Sequence, residues 1–239
     1  MSSVSGPYEE GEWNLLYGYT TITKEMKDNW ENIELFIGWG GKTKNIVIDD
    51  VILKPTTADE VVKTDCTQLV KNGDAEIGDA RWWYIKGAGN FGKIEVNGGG
   101  GASNSANYFA HTGSRSRVNM GMWQELDKSC MALNSKWKIS SMFKYFDAAG
   151  NAVFCANPGQ MCPKWRVEAF NGSGAQLTGA IYNNEKTLAG QWNANEWNAY
   201  EATFTMTQEF FDRERIFIYI IAPENHSYYV DDIKVEPIS

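Results

Sequence analysis

Trp197-Asn198-Ala199-Tyr200-Glu201-Ala202-Thr203-Phe204-Thr205-Met206 decides the fold. Asn198, Tyr200, Ala202, Phe204 and Met206 fall on one face and Ala199, Glu201, Thr203 and Thr205 on the other. A period of two with β-branched and aromatic residues describes a strand with one face on a core. Working outward, similar runs bounded by Gly, Asn, Asp and Pro predict strands over 81–86, 93–96, 106–111, 121–126, 136–147, 164–170, 177–182, 215–222 and 227–235, with a shorter one at 68–71. Helix signals are scarce, and Asp212-Arg213-Glu214-Arg215 reads as a solvated turn. Many strands joined by short turns mean an all-β sandwich or barrel of antiparallel sheets.

Two segments echo each other. Ile48-Asp49-Asp50-Val51-Ile52-Leu53-Lys54-Pro55 matches Val230-Asp231-Asp232-Ile233-Lys234-Val235-Glu236-Pro237, and Glu12-Trp13-Asn14 matches Glu196-Trp197-Asn198. Each copy also carries an apolar strand between these anchors, at 33–37 and 216–221. The chain therefore reads as the C-terminal strands of one repeat (1–55), a polar linker (56–64) and one complete domain (65–239). Strands left over from the first copy cannot close a sandwich alone, so they are expected to pack on the complete domain or to mediate self-association.

Composition narrows the function. The 239 residues carry a net charge of −8, which argues against nucleic acid and against an anionic membrane surface. No stretch approaches the roughly 20 apolar residues of a membrane span. Met1 to Gly11 is polar, without the apolar run of a secretion signal, so a secreted chain starting inside a repeat reads as a fragment. The 10 Trp, 11 Tyr and 11 Phe against only 2 His favour stacking over histidine chemistry. No P-loop or dinucleotide fingerprint follows a strand, and Asn97-Gly98-Gly99-Gly100-Gly101 reads as a flexible spacer.

Of the four cysteines, Cys155 and Cys162 flank turn residues and could close a short disulfide loop, leaving Cys66 with Cys130; four buried reduced thiols are the alternative. The sequons at Asn171 and Asn225 sit in turn-like sequence and agree with secretion.

Five motifs in order carry a resemblance over residues 66 to 236. They are Leu69-Val70-Lys71-Asn72-Gly73-Asp74-Ala75-Glu76-Ile77-Gly78 followed by Trp82-Trp83; Arg115-Ser116 before Gln124-Glu125-Leu126; Lys136-Trp137-Lys138-Ile139-Ser140; Asn195-Glu196-Trp197; and Tyr229-Val230-Asp231-Asp232-Ile233. This order resembles the carbohydrate-binding modules of the family four, nine and twenty-two type, often attached to xylanases and glucanases. The resemblance implies a jelly-roll β-sandwich of two antiparallel sheets, a structural calcium and a face that stacks aromatic rings on sugar rings. It places Asp74 (through its carbonyl), Glu76 and Asp231 around one ion. Three departures stand out: Ala75 replaces a usual Phe, Val118-Asn119-Met120 replaces a stretch with an aromatic, and 155–162 looks inserted.

Asp231 shares parity with Ile233 and Val235, which points it inward, where a carboxylate needs a partner or a metal. A bulge, or an ordinary salt bridge, is the other solution. For the polysaccharide, Trp83, Trp123, Trp165 and Tyr219 are the candidate stacking rings and Arg115 and Arg166 the candidate hydrogen-bonding partners. Trp137 and Trp197 open long strands and read as core. No spaced array of acids on one strand suggests a glycosidase, so a non-catalytic module is the leading reading, ahead of an adhesive matrix repeat and a hydrolase.

Overall fold

The computed structural model describes residues 66–85, 91–154, 162–171, 178–183 and 193–238, together with positions 13, 28–29, 31 and 47–52. The chain divides into two compact units, one of Met1–Ser2 with Gly18–Lys63, the other of Ser3–Tyr17 with Thr64–Ser239. Within the first, Asp28 and Asn29 are helical, and residues 47–52 are exposed and form no regular element. The strand expected at 33–37 lies outside the described residues.

In the second unit the described strands are β1 (Tyr84–Ile85), β2 (Phe91–Gly98), β3 (Asn107–Arg115), β4 (Met122–Leu126), β5 (Lys136–Phe146), β6 (Lys164–Asn171), β7 (Thr178–Asn183), β8 (Asn198–Thr205), β9 (Arg215–Ile221) and β10 (Ser227–Ile238). A four-residue helix, α1 (Gln208–Phe211), precedes β9. One sheet runs β1-β4-β9-β6-β7 and the other β2-β3-β10-β5-β8. Every pairing is antiparallel. Sequence neighbours repeatedly fall in opposite sheets, as a jelly roll requires.

Alternation builds the core. In β8 the side chains of Asn198, Tyr200, Ala202 and Phe204 are buried and their neighbours are not, except at the strand end. Ile216, Ile218 and Ile220 from β9 meet Phe109, Ile139, Phe143 and Tyr200 from the other sheet in one apolar cluster. Burying each such side chain is worth about 1.5–3 kcal/mol before entropy is counted. The segment expected as a strand at 68–71 contributes only an isolated bridge at Gln68, yet it docks firmly. Leu69 N donates to Val235 O at 3.0 Å, and Gln124 exchanges side-chain bonds with both backbone groups of Lys71. Cys66 and Cys130 form a disulfide, fastening the start of this segment to the turn after β4. Cys162 is also disulfide-bonded, while Cys155 lies outside the described residues.

The acidic-basic stretch is a turn as expected, with Asp212 and Glu214 exposed and Arg213 and Arg215 half-buried. Phe210 buries α1 against the core, and Arg215 points back across β9 to form a bidentate pair with Glu125 of β4, with Nε–Oε1 at 2.7 Å. Trp137 is core, but Trp197 is not: it sits half-buried just before β8 on the outer side of the β2-β3-β10-β5-β8 sheet, against Tyr108.

Candidate functional site

Because Met122, Gln124 and Leu126 of β4 are buried, Trp123 and Glu125 point outward, and the same parity holds on β9 and β6, where Ile216, Ile218, Ile220, Trp165 and Val167 join the core. Register then assembles one row across adjacent strands: Tyr84, Trp123, Tyr219 and Arg166. A second row runs Glu125, Phe217, Glu168 and, by backbone register, Tyr182. Three of the expected binding residues, Trp123, Tyr219 and Arg166, are therefore cross-strand neighbours on one face.

Their contacts differ. Trp123 is half-buried and stacks on Phe217, with centroids 4.5 Å apart and planes at 16°. Arg166 is half-buried too, and its guanidinium lies 5.9 Å above the Tyr219 ring and donates to the Tyr219 hydroxyl at 3.2 Å. The Tyr219 ring is consequently covered, 0% exposed, and cannot itself receive a ligand ring. Arg215 lies over Phe217 in the same manner, its charge held firmly by the Glu125 carboxylate, which raises its pKa. The indole Nε1 of Trp123 is buried and has no acceptor among the described residues. An unpaired buried donor of this kind costs stability.

The other three candidates are displaced. Trp83 is 1% exposed, donates from Nε1 to Asn72 O at 2.9 Å and packs on Phe109 and Trp165. Of the adjacent tryptophans, Trp82 is the half-buried one, in a left-handed conformation at φ 69° that throws its neighbour inward. Trp165 is sealed in the core with Nε1 donating to Ser141 Oγ at 2.8 Å, as its alternation with Val167 requires. Arg115 ends β3 in the opposite sheet, where it is buried and donates to the carbonyls of Pro223 and His226 beside Tyr228. It organises the β9–β10 turn and does not reach the outer face of the first sheet. Sequence reasoning missed Phe217, Glu125 and Arg215. Phe217 shares parity with Tyr219, but in the continuous apolar run Ile216–Ile221 that parity carries no signal.

Of the expected metal ligands, Asp231 is fully buried, yet protein donors surround it. Its Oδ2 accepts from Ala102 N at 2.7 Å and Ser105 Oγ at 2.6 Å, and its Oδ1 from Asp232 N at 2.8 Å. Burial outweighs these bonds and raises its pKa. Inward parity is not what buries it. The register breaks between Asp231 and Lys234, Asp232 takes φ 50°, and the 3-10 turn Ala102–Asn104 covers the carboxylate. Gly101 is no mere spacer, since a Cβ there would lie 2.0 Å from Ser105 Oγ and 2.8 Å from Asp231 Oδ2. Glu76 Oε1 accepts from Asn107 N at 2.8 Å, and Asn107 O accepts from Ser105 Oγ, so Glu76 and Asp231 flank the same short segment. Asp74 caps the N–H of Glu76 with its side chain. Carboxylates with a nearby carbonyl are the hard oxygen donors that suit calcium. Among the described residues no three acidic, histidine or cysteine side chains converge, so carbonyls would have to complete the set. Asn225 is exposed in the β9–β10 turn, whereas Asn171 ends β6 with its amide oxygen accepting from Glu214 N at 3.2 Å.

No family model matches this sequence, and no curated protein matches it. Solved structures do match. The CBM22-2 xylan-binding domain from Paenibacillus barcinonensis Xyn10C superimposes with a TM-score of 0.51 at 21% identity, over 70% of this chain and 98% of that one. The CBM22-1-CBM22-2 tandem domain of the same protein gives 0.52 at 17% identity, over 70% of this chain and 44% of the tandem. The second unit has the jelly-roll β-sandwich fold of these domains.

Proposed function

We propose that this chain is a non-catalytic polysaccharide-binding module that holds its ligand on the outer face of the β1-β4-β9-β6-β7 sheet. One observation carries the reading: Trp123 stands half-buried on that face, stacked against Phe217, with Arg166 one strand beyond its neighbour Tyr219. A pyranose ring laid on Trp123 covers apolar C–H groups against the indole, while sugar hydroxyls accept from Arg166. The fold shared with the CBM22-2 xylan-binding domain supports a xylan-like glycan as ligand. Catalysis is disfavoured because Glu125 is occupied by Arg215 and Glu168 is 1% exposed, whereas a glycosidase needs a pair of free carboxylates across the bond. Secretion fits the disulfides, and no helix among the described residues is long and apolar enough to cross a membrane. A structural calcium near Glu76 and Asp231 belongs to the same reading, as does a repeat relation between residues 1–55 and the complete domain.

Affinity electrophoresis in gels containing soluble xylan, β-glucan or mannan tests the site. Retardation by at least one of them is expected, with Trp123→Ala weakening it about tenfold or more, as loss of a central aromatic anchor does. Equal retardation of parent and variant in the gel that binds would sink the assignment.

A further inference from the structure

The opposite sheet presents a second row of rings that the proposed site does not use. Trp197, Tyr108, Tyr229 and Phe146 are all half-buried on its outer side, with successive centroids 5.5, 5.1 and 4.6 Å apart. Trp197 is anchored at one end by Nε1 donating to Gly100 O at 2.9 Å, and Lys144 Nζ lies 4.9 Å from its ring centroid. The hydroxyls of Tyr108 and Tyr229 have no hydrogen-bond partner among the described residues. The ridge is narrow. Across the sheet the row through Tyr229 reads Glu95, Ala110, Tyr229, Lys144, so charged side chains replace aromatic ones on both flanks, and Ala110 is itself fully buried.

We propose that this ridge is a second polysaccharide-binding surface, independent of the Trp123 face and taking one linear glycan chain. Contiguous rings offer stacking to successive sugars, and unpaired phenol groups meet their hydroxyls. A second protein copy would need a broad apolar centre, which a strip one ring wide between Glu95 and Lys144 does not provide. With two faces on opposite sheets, one molecule can bridge two chains of an insoluble glycan, and avidity follows.

Depletion isotherms on insoluble xylan and on microcrystalline cellulose, using the parent, Trp123→Ala, the pair Tyr108→Ala/Tyr229→Ala, and all three changes together, test it. The ring pair is expected to weaken binding at least fivefold on one of these solids with Trp123 intact, and the triple variant to lose binding. Tyr108→Phe/Tyr229→Phe, which keeps both rings, should fall between parent and Ala pair, and near-UV circular dichroism checks that all variants fold. Isotherms of the Ala pair that overlay the parent on both solids overturn the ridge while leaving the Trp123 site standing. Loss confined to the Ala pair upholds the ridge and removes the Trp123 site. A parent that binds neither solid overturns the ridge. A change in sedimentation coefficient without a change in binding assigns the ridge to self-association and also overturns the proposal.

Discussion

Asp231 and Gly101 form a matched pair, since the carboxylate can be buried only because the glycine has no Cβ. Ala102 N, Ser105 Oγ and Asp232 N satisfy the acid, and Gly101 brings two of those donors within reach. Gly101→Ala is therefore expected to lower the melting temperature, by several degrees for a destabilisation of about 2 kcal/mol, because Ser105 and Asn107 O must both move. Thermal denaturation compares it with Gly100→Ala, whose added Cβ meets no atom but is strained at φ 106°. His226 supplies the pH dependence. It stacks on Tyr145 at 5.1 Å, and burial first, then the Arg115 charge, holds its pKa below the usual range against the opposing pull of Asp147. The unfolded chain then binds the extra proton, so this contribution is complete above about pH 6.5 and is lost as pH falls toward the folded value. His226→Phe keeps a ring on Tyr145 and should flatten the dependence of melting temperature on pH between about 7.5 and 5. An unchanged slope would locate the sensitivity elsewhere.

At the level of strands, how much could be read depended on how many faces each strand buries. β8 alternates cleanly, so its inner face and its place in a sandwich were legible from Asn198 to Met206. β9 buries both faces, and its six residues Ile216–Ile221 are all apolar and all buried, which hid Phe217. Trp83 and Trp82 could not be ordered from sequence, because the left-handed backbone at Trp82 decides which ring turns in. Trp197 was misread as core because opening a strand says nothing about which side a residue takes. β10 shows the same limit: simple parity pointed Asp231 inward, but the bulge at Asp232 breaks that parity. The earlier Asp49-Asp50 pair has the same local geometry, with Asp50 at φ 51° and its N–H donating to Asp49 Oδ1 at 2.8 Å. Because β9 is two-sided, Phe217→Ala should act twice. It deletes a side chain only 3% exposed, costing about 3–5 kcal/mol, and it removes the ring stacked against Trp123. Denaturant melts and affinity gels on Phe217→Ala and Trp123→Ala should separate the effects, with stability falling mainly in the first and glycan retardation falling in both.

Across the whole domain, the N-terminal segment is held to the C-terminal strand and to the sheet beside it by several independent ties. Leu69 pairs with Val235, Gly73 O accepts from Ile233 N, and the Cys66–Cys130 disulfide closes a separation of 64 residues, worth about 2–4 kcal/mol by constraining the unfolded chain. Calcium between Glu76 and Asp231 would add a tie to the same place, because Glu76 follows this segment and Asp231 lies on β10, with Asn107 and Ser105 between them. An ion bound by the folded state alone stabilises it in proportion to the logarithm of its concentration. Melting the protein in excess EDTA and again after adding calcium should therefore show a lower transition that calcium, and not magnesium, restores, since magnesium demands a tighter octahedral cage. Identical transitions in all three buffers would leave Asp231 stabilised by its three protein donors alone, and the first segment tied to β10 by hydrogen bonds and packing.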